Sequence, residues 1–107
     1  MIIRFDPAAR RELIDVVEWY AARDVKAAKR FVVAVETAIQ EIAEFPGGPP
    51  PLETWSGHEI IRRVRLHRFP YLIVFEVLSD VIIVWSISHT SRKSNHWQDR
   101  RQNEGRE

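Results

Sequence analysis

Residues 60–89 read IIRRVRLHRFPYLIVFEVLSDVIIVWSISH, and their pattern decides the fold. Tyr71 to Val77 is nearly all apolar, as expected of a central strand buried on both faces. Leu78-Ser79-Asp80 is a tight turn, and Val81 to Ser88 is a second apolar strand, so the two should form an antiparallel hairpin. Upstream, Ile60 to Leu66 alternates. Ile60, Val64 and Leu66 share one face, while Arg63, Arg65 and His67 share the other. Arg62 has the parity of Ile60 and Val64, which leaves open an inward arginine paired with a helix acid such as Glu36 or Glu41.

Working back from this β-rich half, the period changes to that of a helix. Asp24 is a plausible N-cap, and Ala28, Phe31, Val32, Val35, Ala38, Ile39 and Ile42 repeat at threes and fours. Pro46-Gly47-Gly48 ends that helix. An earlier helix starts at Asp6-Pro7, carries Ala9, Leu13, Val16, Val17 and Tyr20 as its apolar stripe, and should run to about Ala22. The short break between the helices implies an antiparallel helix hairpin. Ile2 to Phe5 reads as a short strand. Between helix and sheet, Pro46 to His58 is a loop of restricted flexibility, with Leu52 and Trp55 available to pin it down. The expectation is an α+β domain of order β-α-α-β-β-β, with the helix hairpin packed on one face of a small antiparallel sheet and the other face partly open. Residues 1–97 would form this single domain. Residues 98–107 would be a short polar C-terminal tail that frays.

Composition narrows the function classes. The chain has 107 residues, 45% of them apolar, including 4 Trp and 5 Phe, which is enough for one core without staples. With no cysteine there is no disulfide framework, thiolate nucleophile or thiolate metal site. No apolar run approaches the roughly 18 residues of a membrane span, and the N-terminus lacks a signal-peptide layout, so a soluble cytoplasmic protein is expected. The net charge of +1 hides an asymmetry. Residues 1–57 carry 7 basic and 9 acidic side chains, whereas residues 58–107 carry 9 and 6. A locally basic surface points to a polyanionic or acidic partner.

No cofactor is expected. Gly47-Gly48 stands among prolines and opens no helix, so it is not a phosphate loop. His58, His67, His89 and His96 form no metal-ligand pair with a nearby carboxylate, and no serine nucleophile motif appears. What remains is basic and aromatic: Arg62, Arg63, Arg65 and Arg68 on or beside one strand, then His89, Arg92, Lys93 and Trp97 after the last. Arg63, Arg65, His89, Arg92 and Trp97 are the candidate target-binding residues. The arginine fork suits phosphate or carboxylate, and Trp97 either offers a flat contact surface or anchors the tail to the core.

The segment Arg62-Arg63-Val64-Arg65-Leu66-His67-Arg68-Phe69-Pro70-Tyr71-Leu72-Ile73-Val74-Phe75-Glu76 resembles the centre of RelE/ParE-superfamily toxins, in particular the ParE-like branch. Ile87-Ser88-His89-Thr90-Ser91-Arg92, with Trp97 and Arg100 beyond it, is similar to that branch's ending. Glu12-Leu13, Trp19-Tyr20, Ala28, Phe31, Ile39, Ile42 and Pro46 fall where such toxins carry their helix-hairpin residues. The resemblance covers about residues 1–100. It implies a type II toxin–antitoxin (plasmid-stabilisation) toxin, neutralised by a cognate antitoxin whose disordered segment folds over the domain. ParE-like members are associated with DNA gyrase inhibition, which this reading favours. The alternative is a RelE-type, ribosome-dependent mRNA endoribonuclease, metal-independent, with His89 and Arg92 as its catalytic candidates. A non-toxic protein-binding module of the same fold is the third. Trp97 in the terminal aromatic position cannot usefully donate a proton, and Phe69-Pro70-Tyr71 departs from the RelE-like turn. Both departures lower the ribonuclease reading.

Overall fold

The computed structural model describes residues 1–92 and 96–104. The elements are β1 (Ile2–Phe5), α1 (Pro7–Ala21), α2 (Val25–Glu44), β2 (Ile61–Arg65), β3 (Tyr71–Val77), β4 (Val81–His89) and α3 (Gln98–Glu104). The α+β order expected from the sequence is therefore present, with the two long helices on a four-stranded sheet.

Local chemistry sets the helix ends. Asp6 accepts the amide of Ala8 at 3.0 Å and Pro7 supplies the first helical residue, which satisfies donors that a helix start leaves orphaned. Asp24 does the same for the amide of Lys26. Phe45 caps the end of α2, and Pro46 cannot extend it.

The sheet runs β1-β4-β3-β2. β3 pairs antiparallel with β2 on one side and with β4 on the other; the Leu78–Asp80 turn joins β3 to β4 and is closed by the bond from the amide of Leu78 to the carbonyl of Val81 at 2.8 Å. β1 joins parallel on the outer side of β4, pairing Ile2–Phe5 with Val81–Val84. A bulge falls between Val74 and Phe75.

Helices and sheet enclose a core built from Phe31, Ile42, Ile73, Phe75, Ile82 and Ile87. The opposite face is covered in part. Leu52 from the proline-rich loop, Ile61, Val74, Ile83, Trp85 and Trp97 form a second core there. The loop bonds along the outer edge of β2: the carbonyl of Pro50 accepts from the amide of Arg63, and that of Ile61 from the amide of Leu52. This covers part of an otherwise exposed sheet edge.

Two strand-level expectations change. Ile61, not Ile60, is the buried residue at the start of β2; Ile60 remains 58% exposed. Among the described residues Arg62 pairs with no helix acid: its guanidinium donates to the carbonyl of Pro49 at 2.7 Å, so it fastens the loop. Over Gln98–Arg101 the polar tail starts a short helix, with Arg100 and Arg101 ion-paired to the two acidic anchors described next.

Candidate functional site

β1 has four residues and β4 has nine, so the far half of β4 loses its outer neighbour. The last bond on that side runs from the amide of Asp6 to the carbonyl of Val84. Beyond it, buried backbone groups need other partners. An ion pair supplies them. Glu12 of α1 accepts the amide of Ile87 at 3.1 Å, and Arg100 of α3 donates to the carbonyl of Trp85 at 3.0 Å. Arg100 also forks onto Glu12 at 2.9 and 3.2 Å. Two side chains thus stand in for the missing strand.

Arg92 reaches the same carboxylate at 3.2 Å, as does Nε2 of His96, which also lies 3.1 Å from Ser86 Oγ. Burial acts to raise the Glu12 carboxyl. The bonds from Arg100 and the Ile87 amide, with the charges of Arg100 and His96, outweigh it and lower the pKa below the ordinary 4.5.

A second buried carboxylate fixes the neighbouring residue. Glu76 on β3 is 3% exposed; it accepts Nε1 of Trp85 at 3.1 Å and Arg101 at 2.8 and 3.0 Å. This paired geometry, chiefly the hydrogen bond to Glu76, raises the Arg101 pKa. Arg101 also lies over the Trp55 ring, 5.5 Å from its centroid, and Trp55 packs on Trp97 at 5.3 Å.

The candidate target-binding residues do not converge. Arg63 and Arg65 alternate with Val64 and share the face of Ile61, on the Trp97 side of the sheet. Arg63 is half-buried and Arg65 exposed. His89 has the parity of Ile87, on the helix side, and is exposed at the end of β4. Its ring meets the edge of Tyr71 at 5.3 Å, and its Nδ1 lies 3.1 Å from the amide of Ser91 and 2.8 Å from Ser91 Oγ. Burial, with Tyr20 nearby, raises the Tyr71 phenol pKa. Arg92 is half-exposed on Glu12. Trp97 is a correction: at 0% exposure its ring anchors the chain against the second core and offers no contact surface. Lys93 lies outside the described residues.

Reading the sequence for site residues missed Glu12, Glu76 and Arg101. Glu12 sits in the charged run Arg10-Arg11-Glu12, which looks like a solvated helix face. The available signal was the mismatch between a four-residue β1 and the long apolar β4.

Among the described residues no group of His, Asp or Glu side chains is placed to hold a metal ion, and no helix is long and apolar enough to cross a membrane. A groove of about 860 Å³ lies between α2 and the β2–β3 turn, bordered by Arg30, Arg65, His67, Arg68 and Glu41.

A search of curated proteins by sequence finds no match. Among solved structures, the chain is similar to the chromosomal ParDE toxin–antitoxin system from P. aeruginosa. The TM-score is 0.71 and the identity 18%, over 83% of this chain and 95% of that one, so the likeness is one of fold. The family model for the ParE toxin of the type II toxin–antitoxin system, parDE, matches residues 3–94. The Trp97–Arg101 anchor falls beyond that match. With the family model spanning α1, α2 and the four-stranded sheet from Ile3 onward, the chain belongs to the ParE toxin family.

Proposed function

We propose that this chain is a growth-inhibiting toxin, neutralised by a cognate antitoxin, and that it acts by docking on DNA gyrase rather than by cleaving RNA. The observation that carries the docking reading is the state of the corner formed by His89 and Arg92. RNA cleavage without metal needs a base, an acid and free cations for the phosphate. At this corner Nδ1 of His89 is engaged by Ser91, and Arg92 is tied to Glu12, a carboxylate it shares with Arg100. The carboxylate–histidine pair nearby, Glu12 with His96, has 12% side-chain exposure at each partner, and its Glu12 holds the sheet edge. A surface of exposed His89 and half-exposed Arg92 suits recognition better than proton transfer.

The test is inducible expression in a bacterial host, alone and with the product of the adjacent open reading frame. Growth arrest alone and recovery on co-expression are expected. Harmless accumulation of soluble, folded protein contradicts the reading. Arg92→Ala separates function from folding. An exposed pair contributes about 0–1 kcal/mol, so the melting temperature should stay within a few degrees. A desolvated contact to a target is worth roughly 2–5 kcal/mol, so growth inhibition should weaken sharply. Arg92→Ala protein that is unfolded, as judged by thermal scanning, places Arg92 in the structural ion pair instead.

A further inference from the structure

The solvent-facing side of the helix hairpin is apolar where a free-standing domain would carry charge. Ile14 of α1 and Val25, Val32 and Val33 of α2 are exposed there, Val25 and Val33 at 58% and 60%. Two shallow grooves of about 280 and 340 Å³ lie along the hairpin, and Val17 and Val32 line both. Single exposed apolar side chains are ordinary on a protein surface, whereas a continuous row of them marks a contact surface.

Charges punctuate the row in a particular order. Along α2 it reads Val25, Lys29, Val32, Val33 and Glu36, at helical spacing. Lys29 and Glu36 lie about 10.5 Å apart along the helix axis, with Val32 and Val33 at the midpoint. Lys29 borders one groove; Glu36, with Glu18 of α1, borders the other. None of these three has an ion pair among the described residues. Lys29 and Glu36 are too far apart to meet within one helix, where partners stand three or four residues apart. A two-fold axis through the Val32–Val33 midpoint reverses the row. Each Lys29 then falls opposite the other copy's Glu36, and valine falls opposite valine.

We propose that two copies of this chain pair through this face, with their α2 helices side by side and antiparallel. An isologous interface requires a surface that complements itself under a two-fold rotation, and the order of charge and valine on α2 meets that requirement. A foreign partner places no such demand on the row. The valines supply the apolar centre and the two Lys29–Glu36 pairs its polar rim. The rim pairs fix the antiparallel register, because sliding or reversing one helix sets like charges together or leaves them unmatched. Dimerisation through the hairpin holds whether or not gyrase is the target.

The experiment is analytical ultracentrifugation of the purified full chain from about 1 μM to about 1 mM, a range that captures weak association. The parent should move from monomer to dimer across it. Lys29→Glu and Glu36→Lys should each weaken the dimer at least about tenfold, because each change sets like charges together twice across the two-fold. The double variant, with the charges exchanged, should return to within about threefold of the parent. The Lys29→Glu copy carries acids at both positions and the Glu36→Lys copy bases at both, so an equimolar mixture of the two should form a mixed dimer. All four positions of charge are exposed and both residue types suit a helix, so melting temperatures should stay within a few degrees of the parent. A parent chain that is monomeric at every concentration overturns the proposal. So does a dimer that neither single variant weakens, or one that the double variant fails to restore. A monomeric parent that binds the product of the adjacent reading frame, and loses that binding in either single variant, assigns the face to that partner and overturns the pairing of copies.

Discussion

Replacing Glu12 by alanine is expected to destabilise the domain by about 2–4 kcal/mol, a little less than breaking a fully buried ion pair. Glu12 and Arg100 keep 12% and 17% side-chain exposure, which accounts for the discount. The loss has two parts. Arg100 remains beside the carbonyl of Trp85 without its counter-charge, and the amide of Ile87 loses its acceptor. Glu12→Gln should recover part of the stability, because an amide oxygen can still accept from Ile87. Acid provides an independent check. The folded-state pKa of Glu12 lies below its ordinary 4.5, so the pair's contribution is fully present above about 4.5 and disappears as the pH falls through the folded value. Thermal unfolding measured between neutral pH and pH 3 should show the parent losing stability in that range and Glu12→Ala losing less. A variant as stable as the parent removes the sheet-edge role.

Trp97→Ala should cost about 3–5 kcal/mol, the range for emptying a core site of a large aromatic. The ring is fully buried against Leu52, Ile61, Val74, Ile83 and Trp85, with Trp55 packed on it. Its removal also leaves Arg100 and Arg101 on a segment without an apolar anchor. The melting temperature should drop by more than about 10 °C, and proteolysis should begin in the C-terminal segment. Trp97→Phe should retain most of the stability. A melting temperature within a few degrees of the parent would place Trp97 outside the core and restore it as a contact surface.

The sequence carried the element order because each element there is locally specified. Asp6-Pro7 and Asp24 announce helix starts, Pro46 a stop, and the apolar runs on either side of Leu78-Ser79-Asp80 a hairpin. What it could not show is which distant groups satisfy one another. Glu12 meets Ile87, Arg92, His96 and Arg100 across 75 to 88 residues, and no local pattern marks such a pairing. Strand parity likewise fails at an edge. Ile60 and Ile61 are equally apolar, and only the proline-rich loop and Trp97 on the far face decide that Ile61 is buried. The basic constellation was legible as composition, yet the sheet divides it, with Arg63 and Arg65 on one side and His89 on the other.

The most direct test of the account is a supercoiling assay with purified DNA gyrase, ATP and relaxed plasmid, with the purified chain added. The account predicts loss of supercoiling or accumulation of cleaved DNA, reversed by the product of the adjacent reading frame. Gyrase that works unimpaired, together with codon-positioned mRNA cuts when the same protein is added to a translating extract, would contradict it.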